Sequence, residues 1–165
     1  MTRRFVLMAG FGFDAFVVAR SSPALKARVG IAAYYLATLQ SLLAYRFPEF
    51  RIVTERETLC ATSCIVANAA GYGGGLRLTP DADMTDGVFD VLVVEGKPKL
   101  EYVRLLFSAW APGSRALRSA RILRVAGARF EGPADVRVQV DGELSGRLPA
   151  EIRIAPESFP LVFSR

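Results

Sequence analysis

Acid–base chemistry in this chain falls to carboxylates. Its 165 residues include 16 aspartates and glutamates and no histidine. That excludes Ser-His and Cys-His catalysis within the chain, and most zinc sites. A general base here is a carboxylate or, less often, a Lys, Tyr or Cys. Carboxylates stand at suggestive spacing in two places. In the stretch VRVQVDGELSG, Val136, Val138 and Val140 alternate with Arg137 and Gln139, as along a strand. The alternation breaks on Asp141-Gly142-Glu143. Asp-Gly signals a hairpin, because both residues tolerate positive φ. The stretch reads either as a turn alone or as a turn that holds a carboxylate at a strand end. The second place is Asp81, Asp83, Asp86 and Asp90. An EF-hand counted from Asp81 would need Gly and Glu where Asp86 and Leu92 stand, so that reading fails. A smaller oxygen-ligand site for a hard cation and a solvated turn both stay open.

Two glycine-rich stretches invite a nucleotide reading. Gly10-Phe11-Gly12-Phe13-Asp14-Ala15 matches G-x-G-x-x-A after a strand. It lacks the acidic residue some 20 positions on and the βαβ setting, so a tight strand exit with Asp14 as cap is preferred. Gly71-Tyr72-Gly73-Gly74-Gly75 lacks the Lys-Ser/Thr of a phosphate-binding loop. It reads as a substrate-facing loop or a plain turn. Arg115, Arg118, Arg121, Arg124 and Arg129 read as a solvated strand face, with anionic lipid headgroups as the alternative partner. Cys60 and Cys64 would lie roughly 13 Å apart in one extended strand, too far for a disulfide. They read as buried thiols in a reducing compartment.

The length suits one domain with its own core. Hydrophobic residues make up 52% of the chain, which argues against disorder. The net charge of +5 suits an anionic partner, but no long basic run supports nucleic acid. The apolar start is followed at once by Asp14 and lacks a cleavage site, which argues against a signal peptide. Residues 29–45 carry no charge, yet Gln40, Ser41 and the tyrosines favour a packed helix over a membrane span. That helix is predicted to start at Ser22-Pro23 and stop before Pro48. Its core face would be Leu25, Val29, Ala32, Leu36, Leu39 and Leu43. A second helix is predicted from Pro98 through Trp110. Strands are predicted over 4–9, 50–54, 58–69, 88–95, 120–132, 136–140, 150–155 and 159–164. Strands dominate, with two helices inserted. The predicted fold is mainly β: a β-sandwich or partly open barrel with helices packed on it.

In order, MAGFGFDA, GIAAYYLA, VANAAGYGGGLRLTPDADMTDGVFDVLVV, VQVDGE and IRIAPESFPLVF resemble the C-terminal domain of the soluble diacylglycerol kinase family. These are bacterial lipid kinases related to eukaryotic diacylglycerol, ceramide and sphingosine kinases. The resemblance covers nearly the whole chain. It rests on the order N-x-x-x-Y-G-G-G, a proline, D-G-x-x-D and a late D-G-E.

The resemblance implies that residues 1–165 form the β-sandwich domain of a two-domain enzyme. The partner would be an N-terminal nucleotide-binding domain carrying Gly-Gly-Asp-Gly-Thr, a signature found nowhere in this sequence. ATP would be the phosphate donor, held mainly by that domain, and a lipid hydroxyl at the membrane surface would be the acceptor. Glu143 matches the family's proposed general base. Asn68, Tyr72, Gly73, Gly74, Gly75 and Asp141 would line the cleft. Asp83, Asp86 and the backbone carbonyl of Val88 would hold a structural Mg²⁺. The enzyme would be cytoplasmic and peripheral to the membrane, with a homodimer left open, and this chain alone would be inactive. The alternatives are a non-catalytic sandwich that binds lipid or a partner, and a domain of an NAD kinase-like enzyme.

Overall fold

The computed structural model of the protein describes residues 2–20, 31–71, 78–96, 99–100 and 120–156. The predicted helix start at Ser22-Pro23, most of the helix 98–110, Tyr72 through Gly75, Arg115, Arg118 and the strand 159–164 lie outside these residues.

In chain order the elements are β1 (Met8–Gly12), α1 (Phe13–Arg20), α2 (Ile31–Ala44), β2 (Phe50–Val53), β3 (Thr58–Ala61), β4 (Ser63–Ala67), β5 (Phe89–Val94), β6 (Ala120–Val125), β7 (Gly127–Glu131), β8 (Arg137–Val140), β9 (Glu143–Arg147) and β10 (Ala150–Arg153). They form a six-stranded sheet, β6-β5-β4-β1-β8-β9, and a four-stranded sheet, β10-β7-β2-β3. Every pairing is antiparallel.

The two sheets face each other across one core, so the fold is a β-sandwich. Strand alternation sends Phe11, Cys64, Val66, Val91, Val93 and Val138 of the large sheet inward. They meet Phe50, Ile52, Ala128, Phe130 and Ile152 of the small one. At the centre the Phe11 and Phe130 rings stack with centroids 3.9 Å apart. Such a pair adds about 1 kcal/mol beyond the area it buries. The outer face of the large sheet is apolar as well, through Met8, Ile65, Leu92 and Val94. Helices α1 and α2 belong to that side, where Phe13, Val17, Leu42, Tyr45 and Phe47 cluster with Val94. With both faces covered, β1, β4 and β5 are buried along their whole length.

Several sequence expectations need correction. The first strand begins at Met8, not at residue 4. The run 58–69 is two strands, because the chain changes sheets at Thr62. There the backbone N–H donates to Val94 O at 2.9 Å and the hydroxyl donates to Gly96 O at 2.6 Å. The run 120–132 likewise splits into β6 and β7, one in each sheet. On α2, Leu43 is 81% exposed and Leu39 47%. At this end of the helix Thr38, Ser41 and Leu42 are buried, as is Tyr45 just after it; the expected core residues Leu25, Val29, Ala32 and Leu36 lie outside the described side chains. A helix this uniformly apolar offers several stripes, and the aromatic cluster of Phe13, Tyr45 and Phe47 selects the phase. Cys64 is buried as expected, but Cys60 is exposed. The break at Thr62 puts Cys60 on the edge strand of the small sheet, opposite Arg51.

Helix α1 was not expected. It follows β1 directly, through Gly12 at φ 78°. A Cβ there would stand 2.6 Å from the Thr62 carbonyl oxygen, so glycine is required. A Cβ on Gly10 would fall inside the Asp14 carboxylate and the Gln139 amide. Asp14 sits in the first turn of α1 and Arg20 in its last, each favourable to the helix dipole. The paired glycines thus serve strand exit and close packing. Among the described residues, no helix is long and apolar enough to cross a membrane.

Candidate functional site

The pairing registers bring the sequence-predicted residues to one end of the large sheet. Met8, at the start of β1, pairs with Ala67 at the end of β4. Ala9 pairs with Val140 at the end of β8, and Asp90 at the start of β5 pairs with Ala67. Asn68, Gly71, the acidic loop and the Asp141-Gly142 turn therefore share one rim. They do not form one cluster. Strands β5 and β8 stand three places apart in the sheet, about 14 Å at the usual strand spacing.

The Asp-Gly-Glu stretch is a two-residue hairpin between β8 and β9. Asp141 has φ 46° and Gly142 φ 86°, the paired left-handed residues of a type I′ turn, and Val140 pairs with Glu143 across it. Asp141 does more than turn. Its carboxylate accepts hydrogen bonds from three successive backbone N–H groups: Val6 at 2.8 Å, Leu7 at 2.9 Å and Met8 at 2.9 Å. Its own N–H donates to Met8 O at 2.9 Å. Three converging N–H groups form an anion-holding nest, filled here by a residue more than 130 positions away. Asn68 grips the same segment from the other side. Its N–H donates to Leu7 O and its side-chain amide to Val6 O, both at 2.8 Å.

A second network fixes the hairpin from beneath. Gln139 donates its amide N–H to Asp14 Oδ2 at 2.7 Å and accepts from the Gly142 N–H at 2.8 Å. Both Asp14 and Gln139 are buried. The nearby Cys64 thiol is pushed well above its ordinary range by burial and then by the Asp14 charge. It is held protonated and inert.

Glu143 opens β9, the edge strand, and is exposed. Among the described residues nothing pairs with its carboxylate. The arrangement is thus a rigid turn, anchored at Asp141 and Gln139, that presents one unengaged carboxylate. Such a group can accept a proton from a substrate hydroxyl brought against it.

The acidic loop is organised differently. Asp83 Oδ1 accepts from the Thr85 N–H at 2.9 Å and the Thr85 hydroxyl at 2.7 Å. These bonds hold the Asp83 carboxyl below the usual range, with a smaller contribution from Arg124. Asp86 Oδ1 accepts from the Val88 N–H at 3.1 Å, and its Oδ2 receives the Arg124 guanidinium. Arg124 also reaches the buried Asp90, at 3.6 Å. Burial pushes the Asp90 carboxyl up, and Arg124 works against that shift. The described residues contain no group of three or more metal-ligating side chains. At Asp86 the Arg124 guanidinium supplies the positive charge that Mg²⁺ would otherwise bring.

A test follows from that arrangement. Millimolar Mg²⁺ is expected to leave the melting temperature of the protein unchanged. Arg124→Ala should make it Mg²⁺-responsive, by about 1.4 kcal/mol, or roughly 3 °C, at ten times the dissociation constant. Mg²⁺ stabilisation of the unsubstituted protein in a thermal melt would show that the loop takes the metal with Arg124 in place.

Sequence reasoning read Arg124 as part of a solvated strand face and did not assign a role to Gln139 or to the N–H groups of residues 6–8. Gln139 had a visible signal, as a polar residue between Val138 and Val140 of a strand. Of the other arginines, Arg121 pairs with Glu57 at 3.1 Å and Arg129 is exposed.

Residues 8–163 match the family model described as the YegS C-terminal NAD kinase beta sandwich-like domain. A protein named diacylglycerol kinase from Mycobacterium tuberculosis is 29% identical over 164 residues, covering 98% of this chain and 52% of that protein. One of the same name from Staphylococcus aureus is 28% identical over 157 residues, covering 91% of this chain and 49% of that one. The crystal structure of a diacylglycerol kinase from Bacillus anthracis superposes with a TM-score of 0.61 at 19% identity. It covers 90% of this chain and 48% of that one, and shows the same fold. The chain spans about half the length of the diacylglycerol kinases it matches.

Proposed function

The chain belongs to the family of YegS C-terminal NAD kinase beta sandwich-like domains, and from that premise we propose that it is the acceptor-side half of a lipid kinase. The reaction moves the γ-phosphate of ATP to the hydroxyl of diacylglycerol or a related lipid. The names of the relatives support the reaction class. The observation that carries the reading is the Glu143 carboxylate, unengaged on a turn anchored at both ends.

In this reading Glu143 accepts the proton of the lipid hydroxyl as its oxygen bonds to the γ-phosphorus. The bond from that phosphorus to the β–γ bridging oxygen breaks, and ADP leaves. Asp141 and Gln139 position Glu143 through the backbone of the hairpin. Asn68 holds the neighbouring segment and leads into Tyr72, Gly73, Gly74 and Gly75, which would face the cleft. ATP would be held mainly by a second, nucleotide-binding domain. Mg²⁺ neutralises phosphate charge in such reactions and would arrive with the nucleotide. The full enzyme would work at the membrane surface from the cytoplasm.

The test is transfer of labelled γ-phosphate to diacylglycerol in mixed micelles. The chain completed by a nucleotide-binding domain is expected to turn over, and the chain alone is not. Phosphorylation of NAD in preference to lipid would move the protein to the NAD kinase branch. No turnover by the completed, folded protein with any acceptor would leave a non-catalytic binding module.

A further inference from the structure

At the corner where α1 meets β8 and β9 stand three guanidinium groups that, among the described residues, form no ion pair. Arg20 ends α1, Arg137 opens β8 and Arg147 closes β9. Arg137 and Arg147 are partners across the ladder, so both side chains leave the same face of the sheet. That face is the outer one. It carries Gln139, which meets Asp14 of α1, and Leu144, which pairs with Gln139. The Phe16 ring of α1 lies between two of the arginines, 5.6 Å from Arg20 Cζ and 6.0 Å from Arg137 Cζ.

Like charges facing each other across a strand pair are destabilising. Arg51, Arg121 and Arg124 each meet a carboxylate; what sets this corner apart is that two arginines face each other across one ladder beside an aromatic ring. Here, among the described residues, no ion pair includes Arg20, Arg137 or Arg147. Arg147 donates one bond to Ala134 O at 3.3 Å, and among the described residues its other donors have no partner. Asp135, in the same turn, forms no ion pair with any of the three. Leu144 adds apolar surface, 44% exposed, to the half-buried Phe16. Guanidinium groups beside exposed apolar and aromatic side chains match the layered chemistry of a lipid interface, with phosphates outside and acyl chains within.

We propose that this face, built from Arg20, Arg137, Arg147, Phe16 and Leu144, is the surface by which the domain seats on an anionic phospholipid membrane. The choice of a membrane rests on the lipid-kinase reading; the charge imbalance does not. Arg137 lies about 10 Å along β8 from Val140, the partner of Glu143. A membrane on this face would therefore bring headgroups to the side of the sheet next to the hairpin.

The experiment is sedimentation of the chain with two kinds of vesicle, phosphatidylcholine alone and an equal mixture with phosphatidylglycerol. Binding is expected only to the anionic vesicles, and should weaken as salt rises. Each guanidinium near such a surface contributes about fivefold, so Arg137→Glu with Arg147→Glu should weaken binding by at least roughly 25-fold. The control is Arg129→Glu with Arg153→Glu, which changes the net charge equally on the outer face of the small sheet. It is expected to bind like the parent. Arg20→Glu alone should cost about fivefold or more. Circular dichroism should show all variants folded, and Arg20→Glu decides the matter if the double variant is not.

Equal losses in the two double variants would reduce the effect to net charge and overturn the proposal. So would absence of binding to anionic vesicles. Competition by inorganic phosphate at constant ionic strength would point to a phosphate site and overturn the surface. Vesicle binding is read without ATP or turnover. A failed kinase assay therefore leaves this result standing, and a failed vesicle assay leaves the micelle kinase assay readable.

Discussion

Glu143→Gln in the completed two-domain protein is expected to lower turnover by about two to four orders of magnitude. The amide keeps the shape of the side chain and loses its ability to take a proton. Because the Glu143 carboxylate has no partner among the described residues, the substitution should shift stability by less than about 0.5 kcal/mol. It should also leave the Michaelis constant for ATP unchanged, since nucleotide binding is assigned to another domain. The measurement is kcat against a thermal melt of the same preparation. A large loss of kcat at constant melting temperature identifies a chemical role. Unchanged turnover would return Glu143 to being the end of a turn and move the base elsewhere.

Asp141→Ala is expected to act oppositely, on stability before chemistry. It removes an acceptor that takes three N–H groups at 2.8–2.9 Å. It also places alanine at φ 46°, where a side chain is strained. The bonds are partly solvated, so water recovers some of the loss. The net cost should be about 2–3 kcal/mol, or roughly 5–10 °C in melting temperature. Hydrogen exchange provides the finer test, because the Val6, Leu7 and Met8 amides should lose protection together. Asp141→Asn keeps the turn and part of the acceptor set, and should cost about half as much. If the alanine variant melts with the parent and those amides stay protected, the carboxylate is not the anchor of the N-terminal segment.

The parts of this molecule that could be read in advance are those determined by neighbouring residues. Strands β2 and β5 stand where alternation or a continuous apolar run put them, and Asp141-Gly142 makes the turn its dipeptide signals. What failed depended on distant residues. The break at Thr62 has no Gly or Pro to mark it, because its cause is the pull of the Val94 and Gly96 carbonyls. Strand β9 was missed because Glu143, Leu144, Ser145, Gly146 and Arg147 show no alternation; the hairpin alone places them in the ladder. Helix α1 hid inside a glycine pattern that invited a nucleotide reading. The candidate site divides in the same way. Glu143 could be singled out from its motif, whereas the nest at residues 6–8 and the Arg124 ion pairs join segments whose sequences carry no mark of each other.

The place of β1 in the large sheet bears on how the protein is made. β1 precedes the other described strands of this domain, yet it lies between β4 and β8. One side is satisfied only after residue 67 has been added, and the other only after residue 140. On the ribosome, Met8–Gly12 therefore waits with an open ladder edge until most of the domain has emerged. Around β1 the sheet closes by joining segments far apart in sequence rather than growing hairpin by hairpin. Such non-local pairing places the domain among slow folders, on the millisecond-to-second scale. The same delay leaves an apolar strand edge open to other nascent chains until β8 and the Asp141 nest arrive.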